Sequence, residues 1–143
     1  MMSRTLVLVP AVLVSAALFL SGCAAHSPMI LRDTVDVTPA AGTSAAAPHS
    51  RKVWVTESGL PPSVRYEALG TLDAGTIWYG GGDKVDQQMA DRARAMGADA
   101  VINVRHWRQP SGFSWAAPHG SGQAVKILNP GAAKLDALPG GWF

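Results

Sequence analysis

A run of apolar residues near the N-terminus constrains this chain more than any other feature. It extends from Leu6 to Leu20, fifteen residues without a charge, and it follows Arg4. A helix needs about 20 apolar residues to cross the roughly 30 Å hydrocarbon core of a bilayer, so this run is too short to span one. A basic residue followed by a short apolar segment is typical of a cleaved signal peptide. We therefore predict that the chain is exported and that this run is not part of the folded domain.

Residues 20–23, with the sequence Leu-Ser-Gly-Cys, end the run, and Cys23 is the only cysteine of the chain. This segment resembles the lipobox of bacterial lipoproteins. The resemblance implies that residues 1–22 are a signal peptide and that membrane lipid is a partner, through an acylated Cys23. Ala24 replaces the aspartate that resembles an inner-membrane retention signal, which favours the periplasmic face of the outer membrane. The alternative is an ordinary secretory peptide, cleaved one or two residues later.

Composition restricts the function classes of the mature chain. Loss of residues 1–22 removes Arg4 and no acidic residue, so the formal net charge falls from +2 to about +1. So small a charge does not indicate binding to nucleic acid or to anionic lipid. With Cys23 acylated, no thiol remains for a disulfide, and the domain must be stabilised by its own hydrophobic core.

Residues 23–51 are predicted to be a lipid-anchored flexible linker. Most of residues 39–50 are small or polar and cannot bury enough surface to offset their ordering entropy. Such a linker has a root-mean-square reach of about 30 Å. Two apolar groups, residues 29–31 and 35–37, interrupt it. They leave three interpretations open, namely contact with the membrane surface, addition of a strand, or disorder, and we favour disorder.

Residues 52–129 are predicted to form one small α+β domain. Residues 53–55 and 63–73 are typical of strands, and Gly70 within the second indicates a bulge. A helix is predicted from an N-cap at Asp83 to a C′ glycine at Gly97, with an apolar stripe every third or fourth residue.

Two further strands follow the helix in this prediction. Residues 101–108 form one, with Ile102 and Val104 on the same side. We expect it to lie parallel to, and next to, the strand before the helix. Residues 123–128 would pair with it antiparallel, and residues 130–143 would form a flexible tail. The expected fold is thus a βαββ domain, with one helix packed on a short mixed sheet behind a disordered tether.

Residues 64–129 resemble a group of small βαββ domains. The segments that carry the resemblance are 66–70, 97–105 and 122–126, of which 97–104 is the most specific. The group includes the YbjQ-type family, whose name refers to heavy-metal binding, and the RcsF-like envelope-stress lipoproteins. The resemblance implies the fold and suggests metal binding. The chain departs from the RcsF-like proteins in having no cysteines for their structural disulfides.

Residues 110–122 are predicted to be a long loop, and long loops in compact domains are often functional. Aromatic side chains with polar handles are typical anchors of binding surfaces. The candidate binding surface in and before this loop consists of Trp107, Phe113, Trp115 and His119. Two alternatives stay open: these side chains cap the core, or residues 113–117 prolong a hairpin.

Other chemistry has less support. The four histidines show no zinc-type spacing, so no metal ligand and no cofactor is predicted. Residues 80–84 lack the spacing of a phosphate-binding loop, and Asp83 would repel an anion there. No carboxylate lies between Asp99 and Asp136 to orient a histidine beside a serine nucleophile. We therefore predict a non-catalytic, outer-membrane-anchored periplasmic lipoprotein that binds an envelope protein or other envelope component, with metal binding or buffering as the alternative.

Overall fold

The computed structural model describes residues 25–44 and 46–143, so Cys23 and the predicted signal peptide lie outside the described residues. The described chain forms one sheet of six strands in the order β1-β3-β5-β4-β2-β6, with a single α-helix packed on it. The elements are β1 (Thr34–Pro39), β2 (Trp54–Val55), β3 (Tyr66–Gly75), α1 (Gly82–Ala95), β4 (Ala100–Ser111), β5 (Ser114–Ile127) and β6 (Gly141–Trp142). The mixed α and β content is as predicted, but the sheet has more strands than a βαββ domain.

Helix α1 follows the local signals closely. Its C-terminal glycine, Gly97, has a φ of +78°, the left-handed conformation expected at C′. The apolar stripe is buried against the sheet through Val85, Met89 and Ala93. The N-cap is Gly81 rather than Asp83. Asp83 lies in the first turn instead, where its carboxylate complements the positive end of the helix dipole.

The sheet is covered on both faces. On one face, α1 packs over a cluster that includes Leu72, Val101 and Ala124. On the other, Ile102 and Val125 lie in a second cluster, which Leu135 from the C-terminal segment helps to cover. Residues 130–143, predicted to be a flexible tail, contain two short 3₁₀-helices and strand β6, which pairs with β2.

The predicted loop 110–122 is wrong, because these residues belong to a long β4–β5 hairpin. The pairing predicted between residues 101–108 and 123–128 is confirmed, but it continues to a turn between Ser111 and Ser114. Strand β5 is difficult to predict from the sequence because it contains Gly120 and Gly122, and glycine is unfavourable in β-sheets. Here they are needed: a Cβ at Gly120 would lie 2.8 Å from Val85 Cγ1, and one at Gly122 would lie 2.7 Å from Val101 Cγ1.

Two backbone irregularities change which face of the sheet the side chains of a strand point to. The bulge predicted at Gly70 is confirmed by a register shift between Ala68 and Gly70. A second shift lies between Ile102 and Arg105, where Asn103 has a φ of 54°. Ile102 and Val104 therefore pack in different clusters, on opposite faces of the sheet, and the prediction that they share a face is wrong.

The topology also differs from the predicted one. Strand β5 lies between β3 and β4, so the strands on either side of α1 are not neighbours. Parallel pairing occurs between β2 and β4 instead. Residues 34–39, inside the segment interpreted as a linker, form edge strand β1 on β3, and Val35 and Val37 pack against the helix core. These valines alternate with polar residues, and such alternation is typical of a half-buried β-strand. No helix in the described ranges is long and apolar enough to cross a membrane.

Candidate functional site

The β4–β5 turn and the loop after β3 meet at one end of the sheet. Gly112 in the turn has a φ of +52°, and a Cβ there would lie 2.5 Å from the Ile77 Cβ. The backbone N–H of Phe113 donates to the carbonyl of Ile77 at 3.0 Å. The turn and the loop therefore hold each other in place through backbone contacts, which glycine alone permits at this spacing.

Aromatic side chains crowd this junction and point to solvent. The ring centroid of Trp78 lies 6.2 Å from that of Tyr79 and 6.2 Å from that of Phe113. Trp115, two residues further along β5, is 82% exposed. We call Trp78, Tyr79, Phe113 and Trp115 the aromatic end of the sheet. Each is more than half exposed, and clustered exposed apolar side chains mark interaction or membrane-contact sites.

The described N-terminal segment, residues 25–33, packs against the same end. The Gly112 N–H donates to the Pro28 carbonyl at 3.2 Å, and the Ile77 N–H donates to Asp33 Oδ1 at 2.9 Å. Met29 and Leu31 of this segment are themselves strongly exposed. They therefore extend the apolar surface of the aromatic end.

Asp33 links this segment to helix α1. Its carboxylate pairs with Lys84 Nζ at 2.7 Å and accepts a hydrogen bond from Gln88 at 3.1 Å. Burial acts to raise the pKa of Asp33, but the hydrogen bonds from Lys84 and the Ile77 N–H outweigh it and lower the pKa. The ionised form is thus the one that fastens the segment.

Two of the four predicted binding residues lie elsewhere. Trp107 and His119 are cross-strand neighbours on the sheet face away from α1, and His26 covers them. The His26 ring lies 4.7 Å from the Trp107 ring, and His119 is fully buried. Only Phe113 and Trp115 of the predicted surface are exposed at the aromatic end. Trp78 and Tyr79 were not predicted from the sequence, although the apolar residues just before Gly80 were a usable signal.

The half-buried His26 connects Asp73 to the buried His119. His26 Nε2 lies 3.3 Å from Asp73 Oδ1, and His26 Nδ1 lies 3.2 Å from His119 Nδ1. If His26 donates Nε2–H to the carboxylate, its Nδ1 accepts a hydrogen bond from the Nδ1–H of His119. His119 Nε2 then carries a lone pair and is buried without a partner among the described residues. Burial lowers the pKa of His119, and electrostatic interaction with His26 lowers it further.

His106 has both ring nitrogens engaged. Nε2 lies 2.8 Å from Asp86 Oδ1 on α1, and Nδ1 lies 3.2 Å from Glu57 Oε1. Burial raises the pKa of Asp86 even though His106 opposes the shift. The group ties α1 to the loop after β2. With both nitrogens bound to carboxylates, His106 has no nitrogen directed at a nucleophile in this arrangement.

A cavity of about 680 Å³ lies at the opposite end of the sheet. Basic side chains line it, but Arg51 and Lys126 both pair with Asp99 Oδ1 at 3.0 Å. Burial acts to raise the pKa of Asp99, and the hydrogen bonds from Lys126, the Ile127 N–H and Arg51 outweigh it and lower the pKa. Two of the three basic side chains that line this cavity are thus engaged in ion pairs within the fold.

Metal binding has a limited basis in this geometry. Among residues 25–44 and 46–143, no group of three or more His, Cys, Asp or Glu side chains is arranged to hold a metal ion. A comparison with family models, curated proteins and solved structures found no match to this chain.

Proposed function

We propose that this protein is an outer-membrane-anchored periplasmic lipoprotein that acts as a non-catalytic binding module. The aromatic end is the proposed contact surface. The observation that carries the proposal is the presence of four exposed aromatic side chains at one end of the sheet, three of which are ring neighbours on the hairpin turn and the loop. Burying each of them would be worth about 1.5–3 kcal/mol, and this free energy remains available for a partner.

The rigidity of the surface supports this function. Backbone hydrogen bonds join the turn at Phe113 to Ile77 and the turn at Gly112 to Pro28. Side chains held in place before binding lose less conformational entropy when a partner covers them. Trp and Tyr add large contact areas with few rotatable bonds, which is why they are frequent in binding hot spots.

The anchoring part of the proposal is tested at Cys23. Metabolic labelling with an alkyne fatty acid is expected to mark the wild-type protein, and Cys23→Ala is expected to abolish the label. The same substitution is expected to move the protein from the membrane fraction to the soluble periplasmic fraction, because two or three acyl chains make attachment effectively permanent. Labelling that persists in Cys23→Ala would contradict a lipid anchor at this residue.

The contact surface is tested by hydroxyl-radical footprinting in isolated envelopes. Trp78 and Trp115 are expected to be oxidised more slowly in envelopes than in purified protein in detergent. Trp142 is the internal control, because it lies on β6, far from the aromatic end, and is also exposed. Equal oxidation of Trp78 in envelopes and in purified protein would refute the contact surface.

Metal binding or buffering is the second candidate function. The observation that favours it is the close pair of histidines, His26 and His119, whose Nδ1 atoms lie 3.2 Å apart. Neutral imidazole is a ligand for Zn²⁺ or Cu²⁺. Calorimetric titration of Zn²⁺ into the full mature protein is expected to give heat that His26→Ala removes. Absence of heat with either metal would eliminate this candidate.

A further inference from the structure

The first described residue, Ala25, is fixed to the sheet close to the aromatic end. Its side chain is buried, and its backbone N–H donates to Asp36 Oδ2 at 2.7 Å. Ala25 is two positions after Cys23 in the sequence, which corresponds to at most about 7 Å of extended chain. An acyl group on Cys23 would thus be attached to a fixed point of the fold, rather than at the end of a linker with a reach of about 30 Å.

The aromatic end lies within a short distance of that fixed point. Pro28, three residues after Ala25, accepts a hydrogen bond from the Gly112 N–H in the hairpin turn. Three extended residues span at most about 11 Å, and the five from Cys23 to Pro28 span at most about 18 Å. A bilayer that holds the acyl chains therefore lies within that distance of the turn.

The exposed apolar side chains are concentrated on this end of the molecule. Among residues 25–44 and 46–143, nine large apolar or aromatic side chains are exposed, and six of these nine belong to the aromatic end and the segment beside it. These six are Met29, Leu31, Trp78, Tyr79, Phe113 and Trp115. The other three lie on strands or loops at the opposite end. An uneven distribution of this kind indicates that one end is covered.

The composition of this end suits the interface of a bilayer. Trp and Tyr rings are preferred at the headgroup level, where the apolar ring and the polar N–H or O–H are both accommodated. Two exposed arginines, Arg32 and Arg108, flank the apolar side chains. Arg108 donates to the carbonyls of Gly80 and Ala116, which places its guanidinium between the loop and the hairpin. Arginines at such a rim can reach lipid phosphates.

We propose that the aromatic end docks onto the headgroup region of the bilayer that holds acylated Cys23. This inference rests on the proposed function and names the occupant of its contact surface. Anchor and aromatic side chains act together: the acyl chains hold the protein at the membrane, and the aromatic end sets its orientation. The opposite end, with the cavity lined by Arg51 and Trp142, then faces away from the membrane.

The test uses the mature acylated protein in vesicles of phosphatidylethanolamine and phosphatidylglycerol. One set of vesicles has brominated acyl chains, which quench tryptophan fluorescence at short range, and the other has none. The variants are the double substitution Trp78→Phe with Trp115→Phe, and the matched control Trp142→Phe. Bromine quenching is expected to be about twofold greater in the control than in the double variant, because interfacial tryptophans lie close to the acyl chains.

The outcomes separate this inference from the proposed function. Equal bromine quenching in the double variant and the control, with acyl labelling intact, would overturn docking on lipid. Protection of Trp78 in native envelopes without bromine quenching in pure lipid vesicles would show that a protein occupies the aromatic end. That result would overturn the inference and retain the proposed function. Quenching that requires high protein density would indicate a second copy and would also overturn it. Circular dichroism checks that all variants are folded.

Discussion

His119 Nδ1 lies 3.2 Å from His26 Nδ1, which links a buried residue of β5 to a residue only three positions after Cys23. Asp73 Oδ1 lies 3.3 Å from the other nitrogen of His26, so the pair forms a chain from β3 to β5. This series of side chains, Asp73, His26 and His119, lies on the sheet face opposite α1 and helps to hold the described N-terminal segment in place.

The histidine pair predicts a loss of stability in mild acid. The folded state lowers the pKa of His119 from 6.5, mainly through burial, so below pH 6.5 the unfolded chain binds more protons. The free energy of unfolding is therefore expected to fall as pH decreases from 6.5 towards the lowered pKa, by at most about 1.4 kcal/mol per pH unit for one proton. Urea unfolding at a series of pH values measures the slope. His119→Asn, which keeps an N–H donor without a titrating ring, is expected to flatten it, and an unchanged slope would contradict this origin.

Substitution of Gly112 is expected to loosen the aromatic end. Gly112→Ala places a Cβ 2.5 Å from the Ile77 Cβ at a φ of +52°. The expected loss of stability is about 1–3 kcal/mol, the sum of backbone strain and displaced packing. Gly42→Ala is the matched control, because Gly42 has a φ of +74° with no atom within 4 Å of the added Cβ. Thermal unfolding compares the two. Equal losses would show that the contact with Ile77 is unimportant.

Asp99 is expected to contribute strongly to the stability of the end that lies opposite the aromatic end. Asp99→Asn keeps an oxygen for the Ile127 N–H but loses charge-assisted bonds from Lys126 and Arg51. We expect a loss of about 1–3 kcal/mol at neutral pH. Because the folded state lowers the pKa of Asp99, this stabilisation is present above pH 3.8 and disappears as pH falls through the lowered pKa.

A matched substitution distinguishes Asp99 from an ordinary surface charge. Asp91→Asn removes the negative charge that pairs with Arg94 on the exposed face of α1. Exposed helix pairs contribute about 0.3–0.5 kcal/mol, so this control is expected to change stability only slightly. Urea unfolding at neutral pH measures both variants, and similar losses would contradict the role assigned to Asp99.

Asp33 is expected to control the opening of the N-terminal segment. Asp33→Asn weakens the link to Lys84 and the hydrogen bond from the Ile77 N–H. Hydrogen exchange of residues 25–33 should become faster, whereas exchange in β4 and β5 should not change. Asp83→Asn is the control, since Asp83 is exposed nearby on the first turn of α1. Mass spectrometry resolves the segments, and unchanged exchange in residues 25–33 would refute this role.

Local patterns in the sequence predicted a substantial part of the fold. The sequence predicted helix α1, its end at Gly97 and the bulge at Gly70. Each of these features depends on residues that are close together in the sequence, within one or two helical turns or a few positions of one strand. The pairing of residues 101–108 with 123–128 was also predicted. Within the proposed contact surface, Phe113 and Trp115 were identified from their residue types, although their place on a hairpin was not.

Other features of the fold depend on contacts between segments that are distant in the sequence, and only the tertiary structure determines them. Trp107 is half-buried and His119 is fully buried because His26, which lies 93 residues from His119, covers them. Strand β1 formed because β3 offers an unpaired edge to residues that form no regular structure alone. Gly120 of β5 is explained by the close approach of Val85 from α1, and Gly122 by that of Val101 from β4. No pattern within β5 itself indicates either contact. Sequence periodicity reports which side of a local segment is apolar, whereas the partner of that side is selected by the packing of the whole chain.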